Sequence, residues 1–208
     1  MKNGETQILI ATKNRGKIKE IERLLSVLPV SLLSLNDFSA VVEAEEIGTT
    51  FAENAVLKAR SYALQTGLLS LADDSGLEVE ALDGAPGVFS ARYAGEGATD
   101  LVKIEKLLGE LSVKTDVNRR ARFVCAMAIC DAQGAVKFLT EEKCAGKIAL
   151  KAAGTNGFGY DAIFVPAGFE QTFGELDDDI KQQISHRARA AGKIIQYLRD
   201  FTAVSLDL

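Results

Sequence analysis

Two adjacent carboxylates, Asp73 and Asp74, follow the apolar run LLSLA at 68 to 72 and precede Ser75 and Gly76. A buried strand ending on acids would deliver them to the edge where clefts form in α/β proteins. Successive strand side chains point opposite ways, so only one of the pair need face a site. A carboxylate placed there can hold Mg²⁺, activate a water, or do both. Asp and Ser also stabilise plain turns by bonding nearby amides, and on these residues alone that reading of ADDSG stays open.

Other groups could serve the same chemistry. TKNRGK at 12 to 17 sits between an apolar run and a helical pattern, so amides at the helix start could face a phosphate, with Lys13 and Lys17 adding charge. The Walker pattern GxxxxGK[ST] is absent, and a solvated basic turn is the alternative. Glu43, Glu45 and Glu46 cluster ahead of Gly48, and one could reach the same metal. Asn54 and Lys58 are four apart on a predicted helix and share a face. In NGFGYDAIF the glycines allow close backbone approach, while Phe158 and Tyr160 offer rings for a base to stack on or for the core to bury. His186 and Arg187 in ISHRARA are donors suited to the O6 acceptor of hypoxanthine or xanthine, where adenine carries an amino donor. Ser185 and His186 are adjacent on a helical pattern and diverge, which argues against a serine nucleophile.

Composition narrows the classes. The chain has 208 residues, 47% hydrophobic and 25% charged, which suits one large globular domain or two lobes sharing one core. Its formal net charge of −5 argues against binding along a nucleic-acid backbone, leaving local anion sites built from Lys13, Arg15, Lys17 and Lys19, and from Lys181, His186, Arg187 and Arg189. A lone histidine and three cysteines without CxxC spacing cannot assemble the usual zinc sets, so a hard, oxygen-bound metal is expected. The opening MKNGETQILI is too polar for a signal peptide and no apolar run is long enough for a membrane span, so a cytoplasmic protein is expected.

The elements that must position these residues follow from periodicity. QILIAT at 7 to 12 reads as a strand, and Ile18, Ile21, Leu24, Leu25 and Leu28 recur at helical spacing. A second helix is predicted from about Thr50 to Thr66, stopped by Gly67. LLSLA then forms a strand into the acidic turn, and LEVEAL at 77 to 82 a further half-buried strand. A helix from about Thr99 to Leu111, a long hairpin around Ala132, Gln133 and Gly134, a short strand at IFV and a mainly helical tail from Asp177 to Phe201 complete a mixed α/β pattern.

Taken together these stretches resemble the inosine triphosphatase family, the nonstandard purine nucleoside-triphosphate pyrophosphatases. The resemblance runs through ATKNRGK at 11 to 17, EIGTTFAENAVLKAR at 46 to 60, ADDSGLEVEALDGAPGVFSARYAG at 72 to 95, GFGYDAIF at 157 to 164 and KQQISHRA at 181 to 188. It implies a single domain over 1 to 208, α/β and mixed, with two lobes around an elongated curved β-sheet, a central active-site cleft and assembly as a homodimer. It implies Mg²⁺-dependent hydrolysis of ITP, dITP or XTP to the monophosphate and pyrophosphate. Carried over by position, Thr12, Lys13, Asn14, Arg15, Gly16, Lys17 and Ser75 bind the triphosphate, and Glu46 and Asp74 hold Mg²⁺, with Asp74 the proton acceptor. Phe158, Gly159, Tyr160, Asp161, Lys181, His186 and Arg187 bind base and sugar, and Lys58 joins the substrate-binding set from its helix face. Lys13, Tyr160, Ala162 and Ala188 depart from the commonest family forms. The competing expectations are a pyrophosphatase for other modified nucleotides and a catalytically silent nucleotide-binding regulator.

Overall fold

The computed structural model describes residues 6–114 and 118–204, so MKNGE, the first half of the opening MKNGETQILI, lies outside the described residues. Six strands form one mixed sheet in the order β2-β1-β3-β4-β5-β6. They are β1 (Thr6–Ile10), β2 (Val30–Ser34), β3 (Leu69–Val79), β4 (Arg120–Cys130), β5 (Val136–Ile148) and β6 (Phe164–Pro166). The helices are α1 (Arg15–Leu25), α2 (Phe51–Thr66), α3 (Asp100–Ser112), α4 (Asp178–Ile184) and α5 (His186–Val204). No described helix is long and apolar enough to cross a membrane.

The chain divides into two compact units. The first comprises residues 1–74, 125–142 and 187–208, and the second 75–124 and 143–186. In the first, β1 pairs parallel with both β2 and β3, in register Ile8 to Leu32 and Ile8 to Leu69. Parallel neighbours need a helical crossover, which α1 and α2 provide. The core of this unit gathers Ile8, Ile10, Leu71, Met127 and Ile129 from the strands with Ile21 and Leu25 of α1 and Ile194 and Leu198 of α5. In the second, α3 packs Ile104, Leu107 and Leu111 against Leu77, Val79, Phe123, Phe164 and Phe173. β5 and β6 are antiparallel there, with Lys147 opposite Val165.

Helix ends follow their local chemistry. Thr50 and Glu53 form a reciprocal capping box at the start of α2, and Gly67 closes it in the left-handed region at φ 69°. Thr99 caps α3 by accepting from the Val102 amide. The β4–β5 connection is tied by Gly134 N–H donating to Asp131 O at 2.8 Å, and β4 and β5 lie side by side as the predicted hairpin requires.

Two predicted boundaries change. ADDSG is not a turn: β3 runs unbroken from Leu69 to Val79, absorbing all of LLSLA but Leu68 and the first half of LEVEAL. The physical reason is charge pairing. Asp73 and Asp74 each meet lysine or arginine within the first unit, so the acids can be buried in a continuous strand without needing local amides. The helical tail is broken at Ser185, whose extended backbone (φ −67°, ψ 159°) separates α4 from α5.

Candidate active site

The first unit brings Glu46, Lys58 and Asp74 together. Lys58 Nζ donates to Glu46 Oε1 at 2.8 Å and to Asp74 Oδ1 at 2.7 Å. The second Asp74 oxygen, Oδ2, is buried with no partner among the described residues. Burial pushes the Asp74 carboxyl above the ordinary range, with Lys58 and then Lys17 opposing it. Burial works against the Lys58 ammonium, yet Asp74 and Glu46 outweigh it and hold its pKa up. Lys58 stays charged between two carboxylates.

Helix α2 shapes this cluster through a polar stripe on its inner face. Asn54, Lys58, Tyr62 and Gln65 recur at the helix repeat. Gln65 takes the Val42 amide at 2.7 Å, Tyr62 the Ala44 amide at 3.2 Å, and Asn54 Oδ1 the Gly48 amide at 2.8 Å. The segment carrying Glu46 is thereby held along α2. The shared face of Asn54 and Lys58 is as predicted, and its purpose is to anchor that segment.

Asp73 looks the other way, toward α1 and α5. It is fully buried and receives Lys17 on Oδ1 and Arg187 Nε on Oδ2 at 2.9 Å, while Cys125 Sγ donates to Oδ2 at 2.9 Å. Arg187 Nη1 reaches Glu20 Oε2 at 2.5 Å. Burial alone would raise the Asp73 carboxyl, but Arg187 and then Lys17 bring it well below the usual value. Burial also pushes the Cys125 thiol well up, with the Asp73 charge adding to it, so this sulfur is a hydrogen-bond donor and not a thiolate. Glu20 and Cys125 are the members of this network that sequence reasoning missed. Glu20 meets Arg187 across 167 residues of chain, so no local spacing signals it.

At the start of α1, Asn14 Oδ1 accepts from Lys17 N at 3.1 Å and Thr12 Oγ1 from Asn14 N at 3.2 Å. Lys13 pairs with Glu43 in solvent at 3.0 Å, and Arg15 and Gly16 occupy the first helical turn. Thr12, Asn14 and Lys17 therefore form one capped helix start, as the basic loop predicted.

The second unit holds the glycine-rich loop and its partners. Asp161 Oδ2 accepts from the Phe158 amide at 2.7 Å and from Lys181 Nζ at 2.5 Å. Lys181 Nζ also lies 5.0 Å from the Phe158 ring centroid. The Gly159 amide donates to Asp100 Oδ2 at 2.7 Å. Phe158 is half-buried, whereas Tyr160 is a core residue, 4% exposed, whose hydroxyl donates to Ser90 O at 3.0 Å. Of the two rings offered for stacking, Tyr160 is committed to the core, and Phe158 is the less buried. His186 stacks face to face on Phe123 with centroids 4.6 Å apart. Ser75, the first residue of this unit, lies half-buried in β3 directly after Asp74.

A cavity of about 870 Å³ in the second unit contains none of the predicted site residues. It is lined by both signs of charge, and Arg122 pairs with Glu78 there at 2.5 Å and Lys147 with Glu170 at 3.7 Å. Two of its three cations, Arg122 and Lys147, are already paired with carboxylates, which weakens it as a triphosphate site.

The first unit thus sets two carboxylates, Glu46 and Asp74, on Lys58, and carries a second lysine, Lys17, at a capped helix start. The chain belongs to the Ham1 family, which matches residues 8–197. A relative from Desulforamulus reducens named dITP/XTP pyrophosphatase is 45% identical over 192 residues, covering 92% of this chain and 95% of the relative. One from Bacillus licheniformis with the same name is 46% identical over 188 residues, covering 90% and 95%. The solved HAM1 protein from Coxiella burnetii superimposes with a TM-score of 0.86 at 42% identity, covering 94% of this chain and 99% of that one.

Proposed function

We propose that this chain hydrolyses noncanonical purine nucleoside triphosphates, namely dITP, XTP and ITP, to the monophosphate and pyrophosphate, with Mg²⁺ as its metal and as a homodimer. The observation that carries the reading is the Lys58 bridge between Glu46 and Asp74, with Asp74 Oδ2 buried and without partner among the described residues. The activity named for the relatives at 45% and 46% identity supports the substrate class.

The donors suit Mg²⁺, which takes one or two protein carboxylates and completes its shell with water and substrate phosphates. Glu46 and Asp74, both within hydrogen-bond reach of Lys58, supply two carboxylates for an ion shared with the nucleotide. When bound, that ion supplies positive charge to the phosphate oxygens and the departing pyrophosphate.

The residues of the chain divide the remaining work. Asp74 Oδ2 accepts the proton of the water that attacks the α phosphorus, and its raised pKa makes it a better base near neutral pH. Lys58 and Lys17 offset the charge of the triphosphate, and the α1 start presents backbone amides to it. Asp73 keeps Lys17 in place from behind. Phe158 offers its ring to the base, held by Asp161 and Lys181. His186 serves as the donor to a purine O6, while the Arg187 guanidinium is engaged by Asp73 and Glu20 and acts as an anchor of α5.

Steady-state rates on dITP, XTP, ITP, ATP and a methylated pyrimidine triphosphate test the reading. We expect kcat/KM for the deaminated purines to exceed that for ATP by about 100-fold or more, because an amino group at C6 leaves the O6 donor unpaired. Equal rates on ATP or on the pyrimidine would contradict it.

A further inference from the structure

Lys58 is 8% exposed, and its ammonium lies between Glu46 Oε1 at 2.8 Å and Asp74 Oδ1 at 2.7 Å. These are the same two carboxylates that the proposed function gives to the metal. We infer that Lys58 is a resident stand-in for the divalent cation, so that the site takes its metal together with the triphosphate and not before it. This rests on the cation reading of Glu46 and Asp74 above.

Charge decides the order. Glu46, Asp74 and Lys58 carry one net negative charge between them. A divalent cation added alone would turn a largely buried cluster net positive and set two cations on shared carboxylates, where low dielectric strengthens repulsion. An arriving triphosphate removes that conflict. Its oxygens give the Lys58 ammonium a second place to bond, and the carboxylate oxygens it releases become available to the ion. Until then, Lys58 offsets half the charge of Glu46 and Asp74 and keeps them close together.

The surrounding contacts make the lysine separable from the scaffold. The segment bearing Glu46 is also held by Asn54 at Gly48, Tyr62 at Ala44 and Gln65 at Val42. Removing the Lys58 charge therefore leaves the Glu46 segment tied to α2 by three independent hydrogen bonds.

The experiment measures Mn²⁺ binding to the full chain by the loss of the free-ion electron paramagnetic resonance signal. Wild type and Lys58→Met are each titrated alone and with an ITP analogue whose α-β bridging oxygen is replaced by methylene, corrected for Mn²⁺ held by the analogue itself. Wild type should bind Mn²⁺ about tenfold or more tightly with the analogue than without it. Lys58→Met should bind Mn²⁺ alone about tenfold or more tightly than wild type does. Equal affinity of the two proteins for Mn²⁺ alone would overturn the inference, as would wild-type affinity that ignores the analogue. Lys58→Gln carries the same expectation should the methionine variant fold poorly. Glu46→Gln separates the two levels of the argument: Mn²⁺ binding that is unchanged in that variant means the carboxylate pair is not the cation site, and the metal assignment in the proposed function fails first.

Discussion

Asp73 and Asp74 are consecutive residues of one strand that answer to different cations, Asp73 to Lys17 and Arg187 on one face of the sheet and Asp74 to Lys58 on the other. The alternation of a strand is what splits them. One carboxyl is driven well below its usual pKa and the other is raised, so two chemically identical side chains take different roles.

Asp74→Asn removes the carboxylate to which we assign proton acceptance and cation binding, while keeping the shape. Turnover of ITP should fall by about 10³-fold or more, with nucleotide binding measured by calorimetry retained. Turnover near wild type would move the base elsewhere.

Asp73→Asn should act on stability. A carboxyl depressed in the folded state contributes stability that is fully present above its unfolded value near 3.8 and is lost as pH falls toward the folded value. At pH 7 the variant leaves Lys17 and Arg187 facing a neutral amide and should cost about 3 to 5 kcal/mol in urea unfolding. The gap between wild type and variant should then narrow as pH drops below about 4. A gap that stays constant from pH 7 to pH 3 would refute the assignment of that stability to the Asp73 charge.

Gly48→Ala tests how the Glu46 segment is held. A Cβ at this position would lie 2.7 Å from Asn54 Oδ1 and 2.8 Å from Glu53 Cβ, so the segment must shift. We expect about 1 to 3 kcal/mol of lost stability and a higher Mg²⁺ concentration for half-maximal rate. Wild-type metal activation would show that the anchoring does not matter to the site.

Much of this was legible in the sequence, for physical reasons that differ by residue. Helices α1, α2 and α3 announce themselves by apolar period and caps, and the Asn54–Lys58 face follows from a spacing of four. ADDSG misled because Asp, Ser and Gly favour turns locally, whereas the pairing that buries them is tertiary. Arg187 is 114 residues from Asp73, and no local rule connects them. The same holds for Tyr160, which looks like a stacking surface beside two glycines but packs into the second unit's core with its hydroxyl on Ser90. Glu46 stood out from Glu43 and Glu45 only through the family resemblance, and its pairing with Lys58, twelve residues on, is a tertiary contact that the acidic run itself does not signal.

Phe158→Ala should raise KM for ITP by about ten- to a hundredfold, the loss of one base–ring stack, with a smaller change in kcat. Because Lys181 and Asp161 still pair at 2.5 Å without the ring, the loop should keep its shape, and circular dichroism and thermal midpoint should stay close to wild type. A purely structural Phe158 would lower the midpoint and leave KM alone.

The most direct test of the central claim is product analysis with ITP and Mg²⁺. Attack at the α phosphorus by water activated at Asp74 predicts inosine monophosphate and pyrophosphate in equal amounts, with no orthophosphate formed early in the reaction. Inosine diphosphate with orthophosphate would place the cleavage between the β and γ phosphates and contradict the account.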